Sequence, residues 1–354
     1  MAYTTIDDPS AYFNTLLWTG NGADNRALTN NANAGNFKPD WLWIKHRNHS
    51  TSHSNNIYNT TGGIKKMLGS NLNEAYYTHD ENVQAFNTDG FTVGNKAGIN
   101  DNGVNYKAWQ WVANGGTTSS NSSGSITSTV QANTTAGFSI VSHTGTGSSG
   151  TVGHGLGKVP DMIFFKNTSA NSTNWIVYHQ SLGNNTAIVL NGQDASFSAG
   201  DFNNTTPTSS VFSVGSSTGV NGSGNNIIAF TFAEITGYSK FNTYSGNGGS
   251  AGPFVYCGFK PAYLMIKRIE SGGDGWAVFD SARDPYNGVQ YYEFVNNGSP
   301  EGSGTVRLDF LSNGFKLRQG SSNSSWNADN KNFLFMAFAS NPFVSSSGVP
   351  NTAR

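Results

Sequence analysis

Apolar residues fall along the chain in short blocks of period two, bounded by glycine, asparagine or serine. In WLWIK, Trp41 and Trp43 point one way and Leu42 and Ile44 the other. Both faces are apolar, which predicts a central strand covered on both sides. The block belongs to a longer motif that occurs three times: FKPDWLWIK (Phe37–Lys45), KVPDMIFFK (Lys158–Lys166) and FKPAYLMIK (Phe259–Lys267). Pro39, Pro160 and Pro261 correspond, and each copy closes on a lysine, Lys45, Lys166 or Lys267.

The agreement continues in the same order downstream. NIYN (Asn56–Asn59), WIVYH (Trp175–His179) and WAVFD (Trp276–Asp280) come next. Phe91, Phe212 and Phe315 follow in FNTDGFTV, SSVFSV and DFLSNGFKL. Ala108, Ala229 and Ala337 follow in YKAWQW, IIAFTFA and LFMAFA. A lead-in block precedes each copy, with Gly20, Gly145 and Gly246 predicted as turn residues after a strand.

Ordered repeats at this period predict an all-β chain of three tandem antiparallel β-sandwich units, jelly-roll or concanavalin-like. A β-propeller is the alternative, with a usual blade period of about 40–50 residues. The expected divisions are a first unit over 1–114, a Gly/Ser/Thr linker over 115–130, a second unit over 131–236, a third over 237–343 and a tail over 344–354. The linker reads NGGTTSSNSSGSITST from Asn114 to Thr129.

Composition fits this picture. Hydrophobic residues make up 36% and charged residues 12%, while 23 Phe, 14 Tyr and 8 Trp supply large buried areas. Asn, Ser, Thr and Gly favour turns and disfavour helix. A net charge of −1 argues against a nucleic-acid partner, which needs a basic face. The opening MAYTTIDDPS lacks the regions of a signal peptide, and no run approaches the roughly 18 apolar residues of a membrane helix. Synthesis in a cytoplasm without membrane insertion is the expectation. Cys257 is alone, so it is expected to be a buried, inert thiol.

The third copy carries GFKPAYLMIKR (Gly258–Arg268), GWAVFDSAR (Gly275–Arg283), LDFLSNGFKLR (Leu308–Arg318) and FLFMAFASNPF (Phe333–Phe343). With the opening DDPSAYFNTLLWTGNG (Asp7–Gly22) and the closing SSSGVPNTAR (Ser345–Arg354), these motifs resemble a family of marine and cyanobacterial phage virion proteins, often labelled tail-fibre or structural proteins. The middle copy departs most, lacking the acidic-Gly turn before Phe212, and the first has NIYN where the others have a tryptophan motif. The resemblance implies a particle component; the expected function is a structural protein on the particle exterior, a tail fibre or appendage or a capsid decoration, with a lectin-like carbohydrate-binding adhesin, and after it a glycan depolymerase, as alternatives. Its partners would be other virion proteins, a homo-oligomer (a trimer favoured) and a host-surface glycan. The resemblance carries no catalytic residues.

Candidate chemistry is sparse. There is no GxSxG, HExxH or Walker loop, and the chain is expected not to be an enzyme and to use no cofactor or metal. His46, His49 and His53 have a spacing that would suit metal ligands on one face of a helix, but their segment reads as a polar loop; NDNG (Asn100–Gly103) and NADN (Asn327–Asn330) are oxygen-rich but lack the full spacing and closing Glu of a calcium loop. Asp280 and Arg283 read as a local ion pair supporting a turn. Trp326, with Asn327 and Asp329, is the candidate glycan platform, set against a tryptophan folded over its own loop. Lys45, Lys166 and Lys267 are assembly candidates, reaching an acidic partner surface, against lysines that snorkel from a buried strand or pair with an acid. The arm 1–10 and the tail 344–354 are further assembly candidates.

Overall fold

The structure, a computed structural model, describes residues 3–30, 36–270, 274–320 and 324–352. It is nearly all β, and its strands pair antiparallel. In sequence order the strands fall into three segments, each forming one larger and one smaller sheet.

Each larger sheet is built on the repeated motif. The strands Trp41–His46, Met162–Asn167 and Phe259–Arg268 occupy its middle. Each is flanked on one side by the closing strand of its segment (Asn105–Trp111, Asn226–Phe232, Asn332–Pro342) and on the other by Asn56–Asn59, Ile176–His179 or Ala277–Asp280. The register repeats. Trp41 faces Trp111, Met162 faces Phe232, and Tyr263 faces Phe338. The lead-in strands Phe13–Thr19, Phe138–Thr144 and Ser239–Ser245 pair with the far side of the closing strands. Pro261, which has no amide proton to donate, sits at a register shift in its strand.

The period-two pattern assigns the two faces. Leu42, Ile44 and Ala108 pack with Leu28, Phe91 and Val93 of the first smaller sheet. Ile163, Phe165 and Ala229 pack with Val152, Phe212 and Val214, and Leu264, Ile266 and Ala337 with Val255, Leu308 and Phe315. The opposite faces all meet in one cluster. There Trp41 stacks on Phe230 at 4.6 Å between ring centroids, Trp111 meets Phe338 edge-on at 5.6 Å, and Phe232 lies 5.9 Å from Phe338. The two-sided apolar strands therefore have a physical reason: one face packs on a smaller sheet and the other on the neighbouring segments.

The lead-in glycines mark tight turns. A Cβ at Gly20, Gly145 or Gly246 would collide with the carbonyl of Asp101, Gly222 or Ala328. The second glycines, Gly22, Gly147 and Gly248, hold φ of +68°, +70° and +65°. The expected linker 115–130 is corrected. Ser119–Asn121 is a strand, paired with Ser128–Asn133 at the edge of the second larger sheet. Gly/Ser/Thr composition did not reveal it, because edge pairing is made by backbone groups. The arm and tail also pack onto their own chain. Tyr3 Oη donates to Gly258 O at 2.8 Å, Thr4 Oγ1 to Thr236 O at 3.0 Å, and Ser346 N to Asp7 Oδ1 at 2.6 Å.

Candidate functional site

The closing lysine of each motif lies on the face turned toward the other segments, and all three are fully buried. Each donates to a backbone carbonyl of a different segment: Lys45 to Asn297 at 2.9 Å, Lys166 to Asn73 at 3.1 Å, and Lys267 to Gln193 at 3.0 Å. First reaches third, second reaches first, and third reaches second, so the ring closes. A second ring runs beside it. Trp175 Nε1 donates to Gly69 O and Trp276 Nε1 to Val189 O, both at 2.9 Å, and Asn55 Nδ2 to Val295 O at 2.7 Å. Asn55 stands where the other segments carry tryptophan, and its amide also donates into another segment, to the carbonyl one position further along.

These lysines are therefore not on the outer surface. The expectation that they meet an acidic partner is corrected: the carbonyls they reach belong to this chain. Burial pushes the Lys45 amine down to about 7, against the pull of Glu293, and the Lys166 and Lys267 amines down to about 8.

The contact between the first and third segments also holds a buried charge network. Arg283 Nε donates to Asp280 Oδ2 at 2.6 Å, and its Nη1 to Glu293 Oε1 at 2.8 Å. Lys107 pairs with Glu293, and all four side chains are fully buried. Trp109 Nε1 donates to Asp280 Oδ2 at 3.0 Å, and Arg47 closes the edge on Glu301 at 2.8 Å. Burial raises the Asp280 pKa, but Arg283 and the hydrogen bonds outweigh it and hold the carboxyl below its ordinary range. The expected Asp280–Arg283 turn pair is present, and it is part of a larger network that joins two segments.

The glycan platform is corrected as well. Trp326 is 6% exposed. It packs edge-on against Phe279 at 5.7 Å and beside Tyr292 at 5.1 Å, with Arg307 over its ring. Asn327 is fully buried; its Oδ1 accepts from Asn247 N at 3.0 Å and its Nδ2 donates to Gly249 O at 2.9 Å. Of the three, only Asp329 is exposed. The missed signal is positional. Asn100, Asn221 and Asn327 correspond, and each side-chain oxygen accepts the backbone N–H that follows the lead-in glycine, at 3.2, 2.9 and 3.0 Å. The oxygen-rich stretches thus spend their first asparagine on a turn clamp.

His49 Nε2 meets Asp101 Oδ2 at 3.1 Å and His53 Nε2 at 3.2 Å, while His46 Nε2 contacts Gly298 O at 3.0 Å. Burial and Lys45 lower the His46 pKa to about 4. Among the described residues, no group of three or more His, Cys, Asp or Glu is placed to hold a metal ion. A surface cleft of about 460 Å³ opens between the first and second segments, lined by Lys66, Tyr76, Thr168 and Asn226 among others.

A family model described as a domain of unknown function, DUF7483, matches residues 8–342, and the chain belongs to that family. No curated protein and no solved structure matches it.

Proposed function

We propose that the chain is a structural protein on the exterior of a phage particle, a tail appendage or capsid decoration, acting through assembly and attachment and not through catalysis. In this reading the three segments are three β-sandwich units, arranged as a pseudo-trimer around their shared core. The observation that carries it is the closed ring of inter-segment hydrogen bonds from Lys45, Lys166 and Lys267. A chain with internal threefold pattern offers three similar outer faces, which suits a threefold position or a fibre junction. Its buried ionisable groups pair with one another or with backbone carbonyls, a use that favours a rigid scaffold.

The test is cryo-electron microscopy and mass spectrometry of purified particles of the phage that encodes the chain. External density that accepts this fold supports the reading, and particles lacking the chain overturn it. Attachment to a host glycan is a second reading. It rests on the cleft at Lys66 and Tyr76, where an aromatic ring stands among hydroxyl and amide groups. Glycan-array binding that Tyr76→Ala abolishes supports it; an array without a hit removes it.

A further inference from the structure

Lys45 and Asn55 come together where the first and third segments meet, and the charge of Glu293, held by Lys107 and Arg283, acts on the Lys45 amine. Lys45 and Asn55 are fully buried, and the amine donates to the Asn55 side-chain oxygen at 2.7 Å. With a carbonyl bond of about 1.2 Å, this geometry puts Nζ about 3–4 Å from the amide carbon, which brackets the distance from which a nucleophile attacks. The amide is held from its other end, Nδ2 donating to Val295 O at 2.7 Å and Asn297 O at 2.8 Å. Glu293 is 1% exposed, and its Oε2 has no hydrogen-bond partner among the described residues. Burial is the largest influence on the Lys45 amine and Glu293 the next, and the net effect populates the neutral, nucleophilic form near neutral pH.

We propose that Lys45 and Asn55 join in an intramolecular isopeptide bond. The neutral Nζ attacks the Asn55 side-chain carbon and forms the new C–N bond. One Nζ proton passes to Nδ2 within the Lys45–Asn55 pair. The carbon–Nδ2 bond then breaks and ammonia leaves. Nothing is oxidised or reduced, and no co-reactant is needed. Lys166 and Lys267 supply the contrast. Among the described residues they donate to backbone carbonyls and to the Thr173 hydroxyl, with no side-chain amide, so the crosslink is confined to the first segment. It would bracket the loop that carries His49 and His53, fixing that loop to the Trp41–His46 strand.

Intact-mass spectrometry of the purified full-length chain should read about 17 Da below the sequence mass, one ammonia. Tandem mass spectrometry of a digest should find one branched peptide joining Lys45 to Asn55. Lys45→Met and Asn55→Ala should run at their own sequence masses. Asn55→Asp, which keeps an acceptor, should lose about 18 Da as water. The wild-type mass decides the matter whatever the stability of the variants. A wild-type chain at full sequence mass overturns the proposal, and so does an ammonia loss mapped to any other residue.

Discussion

Arg283→Met tests whether the buried charge network holds the first and third segments together. The guanidinium donates to Asp280 at 2.6 Å, to Glu293 at 2.8 Å and to Val278 O at 3.1 Å, all out of contact with water. Methionine fills a similar volume without charge. It leaves two buried carboxylates facing the single ammonium of Lys107. Breaking a buried pair by removing one partner costs about 3–5 kcal/mol, a large share of the roughly 5–15 kcal/mol that holds a typical domain. In urea, which leaves ion pairs unscreened, the unfolding midpoint should fall by about 1 M. Trp109 is the reporter, since its Nε1 donates to Asp280 and its ring lies beside Lys107 and Arg283. The pH dependence separates this cause from simple loss of packing. Burial raises the Asp280 pKa and Arg283 is the largest influence that lowers it, so without Arg283 that carboxyl should take up a proton more readily as pH falls. The variant then gains stability by protonation as pH falls, and its deficit should shrink between about pH 8 and about pH 5. A loss below about 1 kcal/mol, or an equal deficit at both pH values, refutes the reasoning.

Trp326→Ala should cost about 3–5 kcal/mol, as for other large core residues, read as a lower thermal midpoint; a variant as stable as wild type would mean that the ring does not pack on Phe279 and Tyr292. Burial lowers the pKa of His143 and His179 to about 4. Their stability contribution is therefore complete above about pH 6.5 and is lost as pH falls toward 4, on the order of 3 kcal/mol each at most. Denaturant titrations across that window check it, and a flat profile counts against it. Burial pushes the Cys257 thiol well above its ordinary range, so a thiol reagent should label it only after unfolding; rapid labelling of the native chain contradicts the placement.

Local pattern carried the strands. Two-sided apolar blocks such as WLWIK and MIFFK announced central strands, because period two assigns alternate residues to opposite faces. Order and spacing of the motifs announced three segments. The lead-in glycines announced turns, and the structure adds the close carbonyls that exclude a side chain at Gly20, Gly145 and Gly246.

What covers the second face of each larger sheet was decided only in three dimensions. Sequence shows that Trp41 and Trp43 need burial; it does not show that Phe230 of another segment supplies it. The same limit explains the site residues. Lys45, Lys166 and Lys267 were visible as a series, but a lysine reads as exposed until the carbonyls that receive it are known, and those lie in other segments. Trp326 read as open because its sequence neighbours are polar, whereas its packing partners, Phe279 and Tyr292, are distant along the chain. Asn55, at the position of Trp175 and Trp276, also donates to a carbonyl of another segment, a role that its sequence neighbours do not reveal. Periodicity along the chain reports which faces are buried, because it depends on backbone geometry alone; the identity of the partner depends on how separate segments dock, and only the tertiary structure contains that.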